Sequence, residues 1–427
     1  MITVYPPLGS SSNNPTVVTF NGTTALDAFG RLRVSEPYTL FDSQNRYAAD
    51  NQFDTSVTAG VGNAFAFLPN ESSCSMTVNT TSGSEVVRQT FRNFPYQPGK
   101  SLLMMGTFTF AAGKVNLRQR VGYFNTQNGC FFMQDGGTGT TLSFTIRTYV
   151  SGAVSDANTV TQANWNGDKL DGTGPSGLLL DVTKTQILFM DFEWLGAGNV
   201  RCGFVLNGVF VVAHTFQNAN QTGNTAVYMT TAILPIRYEI TNTGTTGSSS
   251  VMKQICSTVL SEGGYAQLTA DTVARRTTVL TTINATFKPL ISIRLNASAL
   301  GAVVLIKQIN VLPTTNQNYE TVLVKNSVLT GASWVTGATL AFQNVDYDVT
   351  ATAMTIPNPA SIVQSDFVTS TSQGRNVLAG STGYNFDYQL GASIAGTSDI
   401  YTIGIRTVSG ATKGDAFASL VFYDLTF

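Results

Sequence analysis

Gln186–Leu195 reads Gln-Ile-Leu-Phe-Met-Asp-Phe-Glu-Trp-Leu, and Val200–Phe216 reads Val-Arg-Cys-Gly-Phe-Val-Leu-Asn-Gly-Val-Phe-Val-Val-Ala-His-Thr-Phe. In the first stretch Leu188, Met190, Phe192 and Trp194 alternate with Ile187, Phe189, Asp191 and Glu193. That period of two is the mark of a β-strand, with one face apolar and the other turning acidic at its end. The second stretch is split by Asn207-Gly208 between apolar runs. This pair is the strongest short-range hairpin signal, because a type I′ turn needs positive φ at both central residues. A two-residue turn predicts the pairs Leu206–Val209, Phe204–Val211 and Cys202–Ala213 on one face. On the other it predicts Val205–Phe210 and Arg201–His214. Both faces near the turn are apolar, so the hairpin is expected to be central or covered.

The same pattern recurs outward in both directions. Asn128-Gly129 separates Val115–Phe124 from Cys130–Met133 and predicts another hairpin. Short Val, Ile, Phe, Tyr and Thr runs follow one another between Gly, Asn, Ser and Pro clusters, with no sustained helical rhythm. The expected fold is therefore all-β: an extended N-terminal arm followed by two β-sandwich domains of jelly-roll or concanavalin-like type. The arm is placed at 1–60, the first sandwich at 61–264, ending at a Gly-Gly break, and the second at 265–427. No strong internal repeat argues for a propeller or solenoid.

Composition narrows the function. The chain has 427 residues, with 24 Lys+Arg against 25 Asp+Glu and a net charge of −1. Charged residues are only 11%, where soluble domains average roughly 25%. Thr, Ser, Asn and Gly take their place. Such a balance has no cationic excess for nucleic acid or for an anionic membrane. Hydrophobic residues at 43%, with 26 Phe and 15 Tyr, exceed what a disordered chain carries. No apolar run reaches the length of a membrane span. Met1-Ile-Thr-Val-Tyr-Pro-Pro has neither a basic nor an apolar leader region, so cytoplasmic synthesis without a secretory signal is expected. Cys74, Cys130, Cys202 and Cys256 are far apart in sequence and read as buried free thiols. One histidine, His214, removes His-based metal clusters. Neither a metal nor a cofactor is expected.

The arm contains the run Ala28-Phe-Gly-Arg-Leu-Arg-Val-Ser-Glu-Pro-Tyr-Thr-Leu-Phe-Asp-Ser-Gln44. This run resembles the N-terminal segment of a family of tailed-bacteriophage virion structural proteins of marine and freshwater type. The similarity continues through Asn164–Gly172, Phe192–Gly196, Leu234–Ile240, Gln254–Tyr265, Pro289–Leu295 and Leu329–Trp334. It implies a non-enzymatic structural component of a phage particle, made in the host cytoplasm and assembled into the virion. Other capsid or tail subunits are the implied partners, with a homo-oligomer, a trimer foremost. The missing long helix sets the chain apart from the usual major capsid fold, so a capsid-associated decoration or accessory role is expected. A tail fibre or receptor-binding protein contacting a host glycan is the alternative.

Candidate sites follow. Arg31, Arg33, Glu36 and Asp42 concentrate charge in the arm and are expected to make assembly contacts, the alternative being local salt bridges. Trp165 with Asn164, Asn166, Asp168 and Asp171 in a Gly-rich loop could form a sugar platform with Ca²⁺ held by the carboxylates, or the Trp could simply anchor the loop to the sandwich. Their spacing is not that of an EF-hand. Asp191 and Glu193, two apart on one strand face, have the residue types of a glycosidase pair. Such pairs are also common on solvated strands, and no catalytic residue is assigned. His214 beside Arg201 is expected to be structural, with a pKa lowered by the guanidinium.

Overall fold

The computed structural model describes residues 2–4, 16–18, 36–58, 62–137, 140–264, 271–336, 344–369, 374–377, 388–408 and 414–426. Strand accounts for 55% and helix for 3%, which makes the class all-β. At the N-terminus β1 (Ile2–Val4) and β2 (Thr16–Val18) form an antiparallel ribbon.

Fifteen strands make the first sandwich. They begin with β3 (Pro37–Gln44), β4 (Phe53–Val57), β5 (Ala64–Leu68), β6 (Ser73–Val78) and β7 (Glu85–Thr90). Next come β8 (Leu102–Thr109), β9 (Leu117–Phe124), β10 (Gly129–Asp135), β11 (Thr141–Thr148) and β12 (Ser155–Thr161). The last five are β13 (Gln186–Phe192), β14 (Val200–Leu206), β15 (Val209–Phe216), β16 (Ile236–Asn242) and β17 (Ser250–Glu262). One sheet has seven strands in the order β12-β11-β10-β9-β16-β7-β4. The other has eight, β15-β14-β13-β8-β17-β6-β5, with β3 also on β17. Strand β17 bonds β8 along one edge, and β6 and then β3 along the other. Residues 37–44 and 53–57, expected in a docking arm, are thus ladder strands of this sandwich.

Between the sheets, alternate side chains interdigitate as a layer of aromatic rings. Phe132 on β10 lies 5.1 Å from Phe204 on β14 and 5.9 Å from Phe108 on β8, so it joins one sheet to the other. Cys130 and Cys202 also meet across the layer, their Sγ atoms 3.6 Å apart, as free thiols.

The strands after residue 270 build two further sheets. They are β18 (Thr272–Ile283), β19 (Lys288–Leu295), β20 (Val304–Pro313), β21 (Asn318–Lys325), β22 (Val328–Thr330) and β23 (Val345–Asp348). After these come β24 (Ala353–Thr355), β25 (Ile362–Thr369), β26 (Gly374–Val377), β27 (Ile400–Thr407) and β28 (Gly414–Asp424). The order β18-β28-β20-β26 faces β23-β19-β27-β21-β25 across a second core that includes Ile293, Ile306, Leu323, Ile403 and Phe422. Strands β22 and β24 pair separately. The expected division at Gly264 adjoins residues 265–270, which lie outside the described residues. Val303, Leu305 and Leu425 nevertheless pack into the first core, and Gln389 Nε2 donates to the Asn93 carbonyl at 2.7 Å.

The two Asn-Gly hairpins form as the sequence indicates, but the second is not central or covered as expected: β15 is an edge strand and Val209 and Phe210 at the turn are exposed. Gly129 pairs with Phe124, and at the second turn Asn207 and Gly208 both have positive φ, 54° and 79°. Leu206–Val209, Val205–Phe210 and Phe204–Val211 pair in the expected register. Beyond them a bulge makes Ala213 an extra residue, so Cys202 faces His214 and Arg201 faces Thr215. The expected Cys202–Ala213 and Arg201–His214 pairs are therefore corrected. The cause lies on the free edge of β15: Gly167 N–H donates to the Ala213 carbonyl and Asp168 N–H to the Val212 carbonyl, both at 2.9 Å. A loop thus holds both successive carbonyls at the bulge.

On the face of the seven-stranded sheet turned away from the core, Glu239 is 1% exposed and ringed by arginines. It accepts from Arg120 Nε at 3.0 Å, Arg237 Nη2 at 2.9 Å and Arg118 Nη2 at 3.3 Å. Arg120 also lies over Phe124 and Phe131. Burial alone would raise the Glu239 carboxyl, but Arg120, Arg237 and Arg118 outweigh it and bring it down to about 2. A depressed carboxylate contributes stability that is complete above its unfolded value and lost as pH falls towards 2. Glu239→Gln leaves three guanidinium groups without their shared anion. It should cost about 3–5 kcal/mol of unfolding free energy, measured by urea denaturation at pH 7.

Candidate functional site

The site forms where β13 and β14 run out at one end of the eight-stranded sheet. Leu188, Met190 and Phe192 point into the core, so strand alternation turns Ile187, Phe189 and Asp191 to the open face, with Glu193 just beyond. Register sets Arg201 opposite Asp191, and the bulge sets Thr215 opposite Arg201. Ser101 precedes β8 and Asn199 precedes β14. Together Ser101, Asp191, Glu193, Asn199, Arg201 and Thr215 line a cleft of about 330 Å³.

Asp191 and Arg201 form an ion pair in which the carboxylate side chain is 13% exposed and the guanidinium 59%. Glu193 is held by a tight turn instead: its N–H donates to the Asn199 carbonyl at 2.9 Å, and its Oε2 accepts from Asn199 N–H at 3.4 Å. Gly198 is required there, since a Cβ would sit 2.0 Å from the Glu193 carbonyl oxygen. Trp194 anchors the turn from below, donating its Nε1–H to the Met229 carbonyl at 3.2 Å and accepting the Tyr96 ring edge-on. Among the described residues Glu193 pairs with no cation, and its carboxylate is exposed. The cleft therefore sets an open anionic acceptor beside guanidinium, amide and hydroxyl donors. That set suits a ligand rich in hydroxyl groups.

The Trp165 loop is corrected as a sugar platform. Trp165 is 3% exposed, its ring centroid lies 4.9 Å from that of Phe144, and its Nε1–H donates to the Val160 carbonyl. An indole inside the core presents no face to a ligand; it anchors the loop. Asp168 accepts from Leu170 N–H and Ser176 N–H, and Asp171 from the Thr173 amide and hydroxyl. Both carboxylates are occupied in shaping their own loop. Burial alone would raise the Asp168 carboxyl, but the Ser176 hydroxyl and the Leu170 and Ser176 amides hold it below the usual range. Asn166 acts as a strand mimic: its Nδ2 donates to the Thr215 carbonyl and its Oδ1 accepts from Thr215 N–H, at 2.9 and 2.8 Å. It positions a cleft residue without lining the cleft. Among the described residues no group of three or more His, Cys, Asp or Glu could hold a metal.

Glu36 and Asp42 are exposed, Asp42 standing opposite Thr258 in the β3–β17 ladder. Arg31 and Arg33 lie outside the described residues. His214 is buried, accepts Asn166 N–H on Nδ1 at 3.3 Å and packs edge-on against Phe216. Burial, rather than Arg201, pushes its imidazole below the usual value. Asn199, Thr215 and Ser101 were missed from sequence. Asn199 carried a usable signal in the Gly196-Ala-Gly-Asn199 turn, whereas Thr215 is placed by a bulge that sequence did not show.

No protein-family model and no curated protein matches the chain. Among solved structures it is similar to the Crh5 transglycosylase in complex with NAG, at 14% identity, TM-score 0.36, covering 54% of this chain and 84% of that one. It is also similar to the Emp47p carbohydrate recognition domain, at 12% identity, TM-score 0.33, covering 53% and 96%. A Bacillus licheniformis beta-glucanase follows at 11% identity, TM-score 0.31, covering 55% and 100%.

Two expectations check these placements. Trp165→Ala should lower unfolding free energy by about 3–5 kcal/mol, the cost of emptying a buried aromatic site, as read by urea denaturation. For His214, a pKa lowered by burial means the unfolded chain binds the proton more readily. Its contribution is complete above the unfolded value of about 6.5 and is lost as pH falls below it. The melting temperature should drop more steeply between pH 7 and pH 5 in the wild type than in His214→Gln.

Proposed function

We propose that this protein is a non-enzymatic component of a tailed-bacteriophage particle that recognises a glycan of the host surface in the cleft of Asp191, Glu193, Asn199, Arg201 and Thr215. The observation that carries the glycan reading is the exposed, cation-free Glu193 carboxylate in an open cleft that Arg201, paired with Asp191, also lines. A carboxylate and a guanidinium lining one cleft can accept from and donate to hydroxyls of a bound sugar. Membership of a particle rests on the resemblance carried by Ala28–Gln44 and the other shared stretches. A hydrolase would need one carboxyl kept protonated in a secluded setting beside an ionised one. Here Glu193 stands in water and Asp191 is bound to Arg201, which favours recognition over hydrolysis.

A second reading, docking to neighbouring virion subunits through the N-terminal segment, is supported by the exposure of Glu36 and Asp42. Its test is deletion of residues 1–35, which spares β3; normal incorporation into particles would end it.

A glycan array probed with the purified protein tests the main reading. Wild type should bind a defined set of sugars, and Glu193→Gln and Arg201→Ala should each weaken binding by about tenfold or more, the loss of one charge-assisted hydrogen bond. A wild-type array without binding overturns it.

A further inference from the structure

The open face of the eight-stranded sheet does not end at the cleft. Register partners share a face, so Ile187 on β13, Val205 on β14 and Phe210 on β15, with Phe189 and Gly203 buried between them, continue the face that bears Asp191 and Arg201. This continuation carries no charged side chain. From Arg201 to Val205 is four residues, or about 13 Å of strand, more than one sugar ring spans.

Phe210 is built to stand on this surface. The residue is 51% exposed, yet its ring packs at 62° against Phe189, with centroids 5.0 Å apart. Phe189 lies over Gly203, where a Cβ would come within 2.8 Å of its ring and 2.1 Å of the Val211 carbonyl. A glycine inside a ladder strand marks a close approach; here it lets one ring lie flat and prop a second towards solvent. Ile187, 39% exposed, borders the same strip. An exposed apolar strip that runs on from a polar cleft suits a ligand with hydroxyl edges and apolar C–H faces.

We infer that the cleft continues along β13–β15 as an extended subsite for an uncharged oligosaccharide, with Phe210 as the stacking platform for its further units. This rests on the glycan-recognition reading above and adds chain length, neutrality and a specificity-determining residue. The cleft disfavours an anionic sugar as well, because Asp191 and Arg201 compensate each other and Glu193 is left over.

Calorimetric titration with neutral hexose ladders of the gluco, manno and galacto series, one to six units long, tests this against uronate ladders of equal length. In wild type, affinity for the neutral ladder that binds should rise about tenfold or more from one unit to four. Phe210→Ala should erase that rise and leave the single-unit affinity unchanged, while Glu193→Gln weakens every length. Equal affinity at all lengths, an unchanged rise in Phe210→Ala, or preference for the uronate ladder overturns the extended subsite while leaving cleft recognition standing. Absence of binding to every sugar removes both readings. Light scattering supplies a further arm: loss of a higher-order species in Phe210→Ala would show the strip to be a contact between copies, and would also overturn the subsite.

Discussion

Phe132 is the contact on which the first sandwich turns. It stands on β10 of the seven-stranded sheet and touches Phe144 beside it, Phe108 and Phe204 on the opposite sheet, and Trp165 of the loop that follows β12. Remove this meeting of rings and the two sheets lose their shared reference. The consequence reaches the cleft by a short chain of contacts. Trp165 fixes the loop, the loop's Gly167 and Asp168 amides hold the β15 bulge, and the bulge brings Thr215 opposite Arg201. A hydrophobic contact in the core thus sets a polar residue at the surface.

The few charges of the chain are placed unevenly. Glu239 is buried among three arginines on one outer face, where the network is self-contained. On the opposite outer face Asp191 and Arg201 are paired and Glu193 is left open. With so little charge elsewhere, an unpaired carboxylate in a cleft stands out against a Thr- and Asn-rich surface. Sugar hydroxyls are better matched by such a surface than by one covered in ions, since hydrogen bonding then need not compete with strong local fields.

What was legible from sequence was local. Strand alternation in Gln186–Phe192 and the two Asn-Gly turns gave faces and hairpins, because both signals depend on neighbours in the chain. The bulge was not legible, since its cause is a pair of amides some forty-five residues away. Trp165 misled for a related reason. Asn, Gly and Asp around it describe an exposed loop, yet its burial depends on Phe144 and Phe132, which the loop's composition does not reveal. Asp191 and Glu193 were visible as a same-face pair, but their different fates, one bound to Arg201 and one held only by the Asn199 amide, follow from register and from the 193–199 turn. Likewise Pro37–Gln44 looked like an arm because its apolar residues are scattered, and it becomes a strand only when β17 offers it an edge.

Strands β16 and β17, residues 236–262, are the last of the first sandwich to leave the ribosome, and they occupy inner positions in their sheets. Strand β16 inserts between β9 and β7, and β17 between β8 and the β6–β3 edge. Until they have emerged, the seven-stranded sheet is split in two and the eight-stranded one into β15–β14–β13–β8, β6–β5 and a lone β3. The nascent chain must then reach Asn242 before the seven-stranded sheet can close and Glu262 before the eight-stranded one can. A truncation just short of Ser250 would remove a keystone rather than an end.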